Sequence, residues 1–429
     1  MSKILGLWRD DSPSLLLLGR LAGAAVSLCS APLVARLIGP DGRGITAAAI
    51  AVYYVVPILL AFGVPTYVRR RVAISRSVKV ITRARGFALA SIVPSALAAW
   101  AAYHTVFATI TGIDRVVASA GVLVAPFVIS WTCDVSVLVA QGRFRSIFAL
   151  LVTPPLGNLL LVLLFWGGGV VSTSTVILAN VISNVATCLL GFVLVRPGSK
   201  NDHDLPSMWG VVSASIPYSG AAIADAALNR VDQVVMLPLI GAYQSGLYAV
   251  AVTLSALPAP VGSALGSAYF GRMARVDDSE ARSLSARALK SGFLLSLITV
   301  IPIALVTPLA IYVLFGEDFM PAVPVAFVSY FGSVFVVLGF ICANILAARG
   351  RGLGMTVAQV LAVVCALGLL VLLAPSLGAW GAALASSAGY GVSVLIMVYL
   401  IRPDLKALRI RGVDFRHAVR DLLKRQDDS

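Results

Sequence analysis

The stretch 217–246, PYSGAAIADAALNRVDQVVMLPLIGAYQSG, decides how this chain is read. It is mostly apolar and longer than the ~20 residues that cross a bilayer. Yet it carries Asp225, Asn229, Arg230, Asp232 and Gln233. Charge at membrane depth is unfavourable, so such residues mark either a transport pathway or a pairing. The stretch ends in LIGAYQSG (239–246), which echoes LIGPDGRG (37–44) near the N-terminus. A second echo links AQGR (140–143) to ARGR (348–351). Both pairs fall in equivalent connections of a twelve-span reading, after spans 1 and 7 and after spans 4 and 10. That pattern predicts two halves that start on the same side, as parallel repeats about an axis along the membrane normal.

The composition points the same way. Of 429 residues, 59% are hydrophobic and 12% charged, and the mean hydropathy is +0.94. A soluble domain is about half apolar and about a quarter charged. The expected fold class is therefore an all-α polytopic membrane protein with about 12 transmembrane helices in two six-helix bundles. Its spans are expected near 14–38, 44–68, 87–108, 116–140, 146–168, 174–195, 209–238, 246–271, 291–314, 321–346, 354–374 and 378–401. The domain reading is an N-terminal bundle over 1–200, a C-terminal bundle over 201–403 and a basic tail over 404–429. In that tail Phe415, Val419, Leu422 and Leu423 recur at helical spacing among basic residues, which fits a helix on anionic headgroups or an ordinary solvated tail. No stretch between spans could hold a soluble domain, so an enzyme with a sizeable extramembrane active site is not expected.

The net charge of +14 would suggest nucleic acid in a soluble protein. Here the basic residues crowd into connections, and no nucleic-acid partner is expected. Of the 33 lysines and arginines, all but Arg20, Arg36, Arg43, Arg115 and Arg230 lie at the N-terminus, in even-numbered loops or in the tail. The positive-inside rule then puts both termini in the cytoplasm and the chain in the cell membrane. The five cysteines all lie in apolar segments without a CxxC pair, so neither a disulfide framework nor a metal site is expected. No GxxxxGK[ST] motif occurs, which disfavours direct nucleotide-driven transport, and no cofactor is expected.

Asp225, Asn229 and Asp232 are spaced to share one helix face, with Tyr218 and Gln233 extending it. A polar stripe on a buried helix should face a cavity or the bundle interior. Two readings stand: Asp225 and Asp232 bind a coupling cation, or they belong to a structural network with Arg230. Arg20 and Asp134 lie at similar depth, so they either pair, or Arg20 contacts an anionic group entering from the cytoplasm through bidentate bonds. Arg36, near the outer surface, either contacts substrate or snorkels to the interface. At the repeat offset, Asp225, Arg230 and Asp232 correspond to Gly23, Leu28 and Ser30, so span 1 is purely cationic where span 7 is mainly acidic. The candidate substrate contacts are therefore Arg20, Arg36 and Arg230. The candidate ion-coupling or cavity-lining residues are Asp225, Asn229, Asp232 and Asp134. Charge-neutral replacement of Arg20 or of Asp225 is expected to abolish function at normal protein levels.

LVARLIGPDGRG (33–44), RVDQVVMLPLIGAYQSGLYAVA (230–251), LFGEDFMPAV (314–323), NILAARGRG (344–352) and LGAWGAALASSAGY (377–390) occur in that order. Together they resemble the polysaccharide transporters of the multidrug/oligosaccharidyl-lipid/polysaccharide flippase superfamily. The resemblance implies a central V-shaped cavity between the bundles and export of a polyprenyl-pyrophosphate-linked glycan by alternating access. Membrane lipids and glycan-assembly proteins are its implied partners. One departure is that several members add two C-terminal helices beyond twelve. The rival reading is a cation-coupled multidrug exporter of the same superfamily, against which the arginines of span 1 argue. A membrane glycosyltransferase or polymerase is disfavoured by the short outer loops.

Overall fold

Long apolar segments leave the backbone no water to bond with inside a bilayer, so each must close its hydrogen bonds within itself as a helix. The computed structural model, which describes residues 14–75, 78–197 and 207–404, is helical throughout its regular elements. The N-terminal residues before Ser14 and the amphipathic tail after Asp404 lie outside the described residues. In chain order the helices are α1 Ser14–Ala61, α2 Val64–Ser75, α3 Val80–Ala90, α4 Ile92–His104, α5 Gly112–Ala120, α6 Ala125–Gln141, α7 Phe144–Gly167 and α8 Thr173–Leu194. They continue as α9 Met208–Ser215, α10 Ser219–Ser255, α11 Ala259–Met273, α12 Asp278–Ala310, α13 Ala322–Ala348, α14 Gly352–Leu377 and α15 Ala379–Ile401. Among the described residues, ten helices or helix runs are long and apolar enough to cross a membrane. The chain is a multi-pass membrane protein. Leu97, Trp100, Leu164, Leu305, Leu372 and Leu395 are all exposed, as lipid-facing side chains are.

Two of the long runs are broken. Within α1 the backbone leaves helical geometry at Gly39 (φ 67°, ψ −178°), and within α10 it does so at Gly241 (φ 80°, ψ 175°). These are the glycines of the two LIGxxxxG echoes, and a positive φ favours a residue without Cβ. The expected outer loop at 37–44 is thus a kink between two helices that follow each other almost without a gap. The AQGR and ARGR glycines match as well, with φ 69° at both Gly142 and Gly350. Beyond each of them an arginine closes a helix end. Arg143 Nη1 donates to the Leu194 carbonyl at 2.9 Å, and Arg351 Nη1 donates to the Leu400 carbonyl at 3.0 Å. The last carbonyls of a helix have no partner within it, so this is a capping role that both echoes perform.

Arg69–Arg85, expected as a polar loop, is instead largely helical, formed by α2 and the first part of α3. The buried positions Val80, Ile81, Ala84, Arg85 and Ala88 give α3 a stripe of helical period facing inward.

The described residues divide into two compact units that meet in sequence between Gly246 and Leu247. In the first, α2, α3, α6 and α7 share a core of Val64, Val68, Ile81, Val137 and Ile147. The second half of α1 packs through Ala48, Ala49, Val52 and Tyr53 onto Ala99, Ala118, Ile177 and Leu237, which brings α4, α5, α8 and the first half of α10 together. Tyr53 is anchored there by donating its hydroxyl to the Ala118 carbonyl at 2.7 Å. In the second unit, α11, α12 and α13 pack around Leu265, Met273, Leu284, Leu294, Val337 and Ile341, with Ala358 of α14 and Met397 of α15 completing the core.

Candidate functional site

The first segment of α10 is held against the second segment of α1 by apolar contacts, Val234 and Leu237 lying with Ile45, Ala48 and Val52. Its polar residues therefore sit beside α1 rather than in a loop. Asn229, Arg230 and Asp232 are half-buried and Gln233 is buried. The Arg230 guanidinium lies 5.4 Å from the centroid of the Tyr54 ring, and Tyr54 is otherwise exposed. Arg43, one turn past the Gly39 break, is half-buried and close enough to Arg230 for the two charges to repel each other. The Asp232 carboxylate accepts the Gln233 amide at 2.8 Å. Asp225 lies within the helix, but its side chain lies outside the described residues.

The structure thus gathers two guanidiniums, an aromatic face, a carboxylate and two amides along facing stretches of α1 and α10. An arginine beside a ring gains from the ring's negative face. A pair of mutually repelling arginines between two helices is an arrangement that an anion stabilises through charge-assisted hydrogen bonds. Sequence reasoning singled out Arg230, Asn229, Asp232 and Gln233 but missed Arg43, which it placed in an outer loop, and Tyr54. The signal for Arg43 was available: it sits on the repeat's glycine motif, directly before Gly44, where the helix has already resumed.

Arg20 and Arg36 lie on the first segment of α1, and both are exposed. That segment approaches α7 closely through Gly19 and Gly23, where an added Cβ would meet the Phe148 backbone and the Leu151 carbonyl at 3.2 Å.

Of the two readings of Arg20, the pair with Asp134 does not form. Asp134 is fully buried and its Oδ1 is bonded to Arg85 Nη2 at 2.7 Å. The same Nη2 donates to the Val195 carbonyl at 2.9 Å, and the guanidinium lies 4.1 Å from the centroid of the Phe192 ring. Gly191 leaves the room, since a Cβ there would fall on Asp134 Oδ2. This knot ties α3, α6 and the end of α8 together in the first unit. The error has a physical source: Arg85 belongs to the buried stripe of α3, and equal depth says nothing about which helices touch. The helical period of 80, 81, 84, 85 and 88 was the signal that could have found it.

A family model described as "Polysaccharide biosynthesis protein" matches residues 33–324. No match to a curated protein is found. Among solved structures, a lipid II flippase MurJ in an inward closed conformation superposes with a TM-score of 0.72 at 13% identity, over 95% of this chain and 90% of that one. An inward-facing multidrug resistance MATE family transporter of the MOP superfamily gives 0.55 at 18% identity, over 95% and 96%. A mutant of the Vibrio cholerae MATE transporter VcmN gives 0.61 at 15% identity, over 94% and 96%. At these identities the likeness establishes the fold, which the chain shares with this flippase and these transporters.

Proposed function

This chain belongs to the polysaccharide biosynthesis protein family, and from that premise we propose that it moves a lipid-linked oligosaccharide or polysaccharide precursor across the cytoplasmic membrane by alternating access. The observation that carries the proposal is the cluster of Arg43, Arg230 and Tyr54 between the second segment of α1 and the first segment of α10. A polyprenyl-pyrophosphate-linked glycan presents a compact dianionic group with a sugar beside it. Two guanidiniums suit the phosphates through bidentate bonds. An exposed tyrosine ring, with Asn229 and Gln233 nearby, offers a stacking surface and hydrogen bonds for the sugar. Arg20 and Arg36, exposed on the first segment of α1, extend the cationic character along the path of entry and exit. Asp225 and Asp232 supply the cation-coupling carboxylates in this reading, and Asp134 is withdrawn from it by Arg85. Membrane lipids and glycan-assembly proteins are the other partners, and no chemical step is assigned to the chain.

The test is complementation of a deletion strain. Deletion should leave lipid-linked glycan on the cytoplasmic leaflet, and the wild-type gene should restore surface glycan. Arg230→Gln should fail to restore it while protein levels stay normal, because the amide keeps a hydrogen-bond donor but not the charge. Asp232→Asn should reduce export in the same assay if coupling runs through that carboxylate. Unchanged surface glycan after deletion, with new sensitivity to cationic drugs, would instead favour a multidrug exporter of the same fold.

A further inference from the structure

The second unit carries a basic cleft that the transport reading does not use. The start of α12, the end of α13 and the end of α15 enclose a cavity of about 320 Å³ lined by Asp278, Arg282, Arg349, Arg351, Tyr399 and Arg402. Four guanidiniums face one carboxylate. The inner wall is apolar, formed by Ile345 and Leu346, which are buried. All three helix ends belong to connections or termini that the basic-residue census assigns to the cytoplasm.

Architecture explains part of this charge. Arg351 closes the end of α15 by donating to the Leu400 carbonyl, as Arg143 does for α8 in the first unit. Arg349 donates to the Val276 carbonyl at 2.8 Å and pairs with Asp278, whose side chain is 79% exposed. An exposed pair of this kind is held weakly against solvent. The position that matches Arg349 in the other echo is Gln141, so this cation is particular to the second unit. Arg282 and Arg402 are both exposed at the rim. Arg402 takes a left-handed conformation (φ 53°) unusual for a residue with a Cβ, and the following turn folds back so that the Asp404 amide donates to the Arg282 carbonyl at 3.2 Å. Non-glycine residues held in that region are uncommon outside sites where the surroundings demand them. Here the conformation brings a fourth arginine to a rim that already has three.

We propose that this cleft binds a phosphate-bearing anion, with Arg282, Arg349 and Arg402 as ligands and Tyr399 at its open edge. Arginine forks match phosphate oxygens in pairs, which lysine cannot do. A basic pocket between helix ends at the cytoplasmic surface is also where an anionic lipid headgroup docks. The phosphate can come from such a headgroup, its chains lying along the lipid-facing helices, or from a free phosphate compound in the cytoplasm. Asp278 competes with either for Arg349.

The experiment uses the purified full-length chain. Inorganic phosphate and pyrophosphate are titrated onto protein in neutral detergent and followed by thermal shift. In parallel, protein is reconstituted in nanodiscs of phosphatidylcholine with or without phosphatidylglycerol or cardiolipin, and retained lipid is read by native mass spectrometry. Arg282→Gln/Arg402→Gln should weaken binding about tenfold or more, the loss expected for at least one charge-assisted contact. Arg272→Gln/Arg275→Gln removes the same charge from residues outside the cleft and should change it less than about twofold on the same scale. Asp278→Asn should tighten it. Retention of anionic lipid without a response to free phosphate identifies a headgroup site, and a response to free phosphate alone identifies a soluble ligand. No binding of either probe by the wild-type protein, or equal losses in both arginine pairs, would overturn the proposal.

Discussion

Two arginines in this protein illustrate how differently a guanidinium set among helices can be used. Arg85 is paired within the fold, its Nη2 bonding to Asp134 and to the Val195 carbonyl. Removing one partner of a buried pair leaves the other charge stranded, which destabilises by about 3–5 kcal/mol, whereas replacing both with apolar residues is often neutral. Asp134→Ala should therefore lower the thermal stability of the purified protein sharply, while Arg85→Met/Asp134→Leu should recover most of the loss. Equal instability of the single and double variants would mean that the knot contributes something other than charge balance. Arg230 is placed otherwise, over the Tyr54 ring and near Arg43. Arg230→Gln should leave stability close to wild type while export fails, a split measured by setting melting temperature beside surface glycan. Of these two residues only Arg230 stood out in the sequence, because it interrupts an apolar run. Arg85 stood at the edge of a basic loop, and its burial became visible only once α3 had a partner.

The two broken helices carry their own consequence. A Cβ on Gly44 would land on the Ala242 carbonyl, and a Cβ on Gly246 would land on the Pro40 carbonyl. The repeat offset relates Gly44 to Gly246 and Pro40 to Ala242, so the two contacts are mirror copies of one backbone crossing. Backbone cannot move aside as a flexible side chain can. Gly44→Val and Gly246→Val should each reduce the amount of folded protein, and the double variant should cost less than the sum, because both disturb one crossing. Folded yield by fluorescence-detected gel filtration measures this. The start of α12 offers a milder case outside the membrane. The Asp277 carboxylate caps that helix by accepting the Glu280 amide and the Ser279 hydroxyl, and these bonds hold its pKa below the usual range. The contribution is present above the unfolded carboxylate pKa of about 4 and fades as pH falls through the lowered folded value. Asp277→Ala should remove that dependence from the acid limb of the stability profile. The glycine echoes were legible in the sequence as turns. Their direct approach to one another was not, since each motif alone gives a turn but no partner.

For the whole molecule the basic-residue census makes a topological prediction. In a cysteine-free background, Tyr243→Cys beside the Gly241 break should react with an impermeant maleimide added to intact cells. Arg275→Cys, between α11 and α12, should react only after permeabilisation. The reverse pattern would invert the orientation and with it the direction of proposed transport. Both positions are exposed, so access to the reagent depends on the side of the membrane rather than on burial.

The polytopic helical fold and the glycine breaks followed from the amino-acid sequence because both have local causes. Hydrocarbon forces a long apolar run to satisfy its backbone internally, and a positive φ favours glycine. Family membership was legible for a related reason, since the motifs that carry it lie in order along the chain. Which charge meets which was decided by packing alone. The partners Arg85 and Asp134, and Arg349 and Asp278, are separated by whole helices, and ion pairing acts over a few ångströms. Side-chain spacing along one helix defines a face, but only the helix laid against that face determines whether a charge there is neutralised or left to hold a ligand.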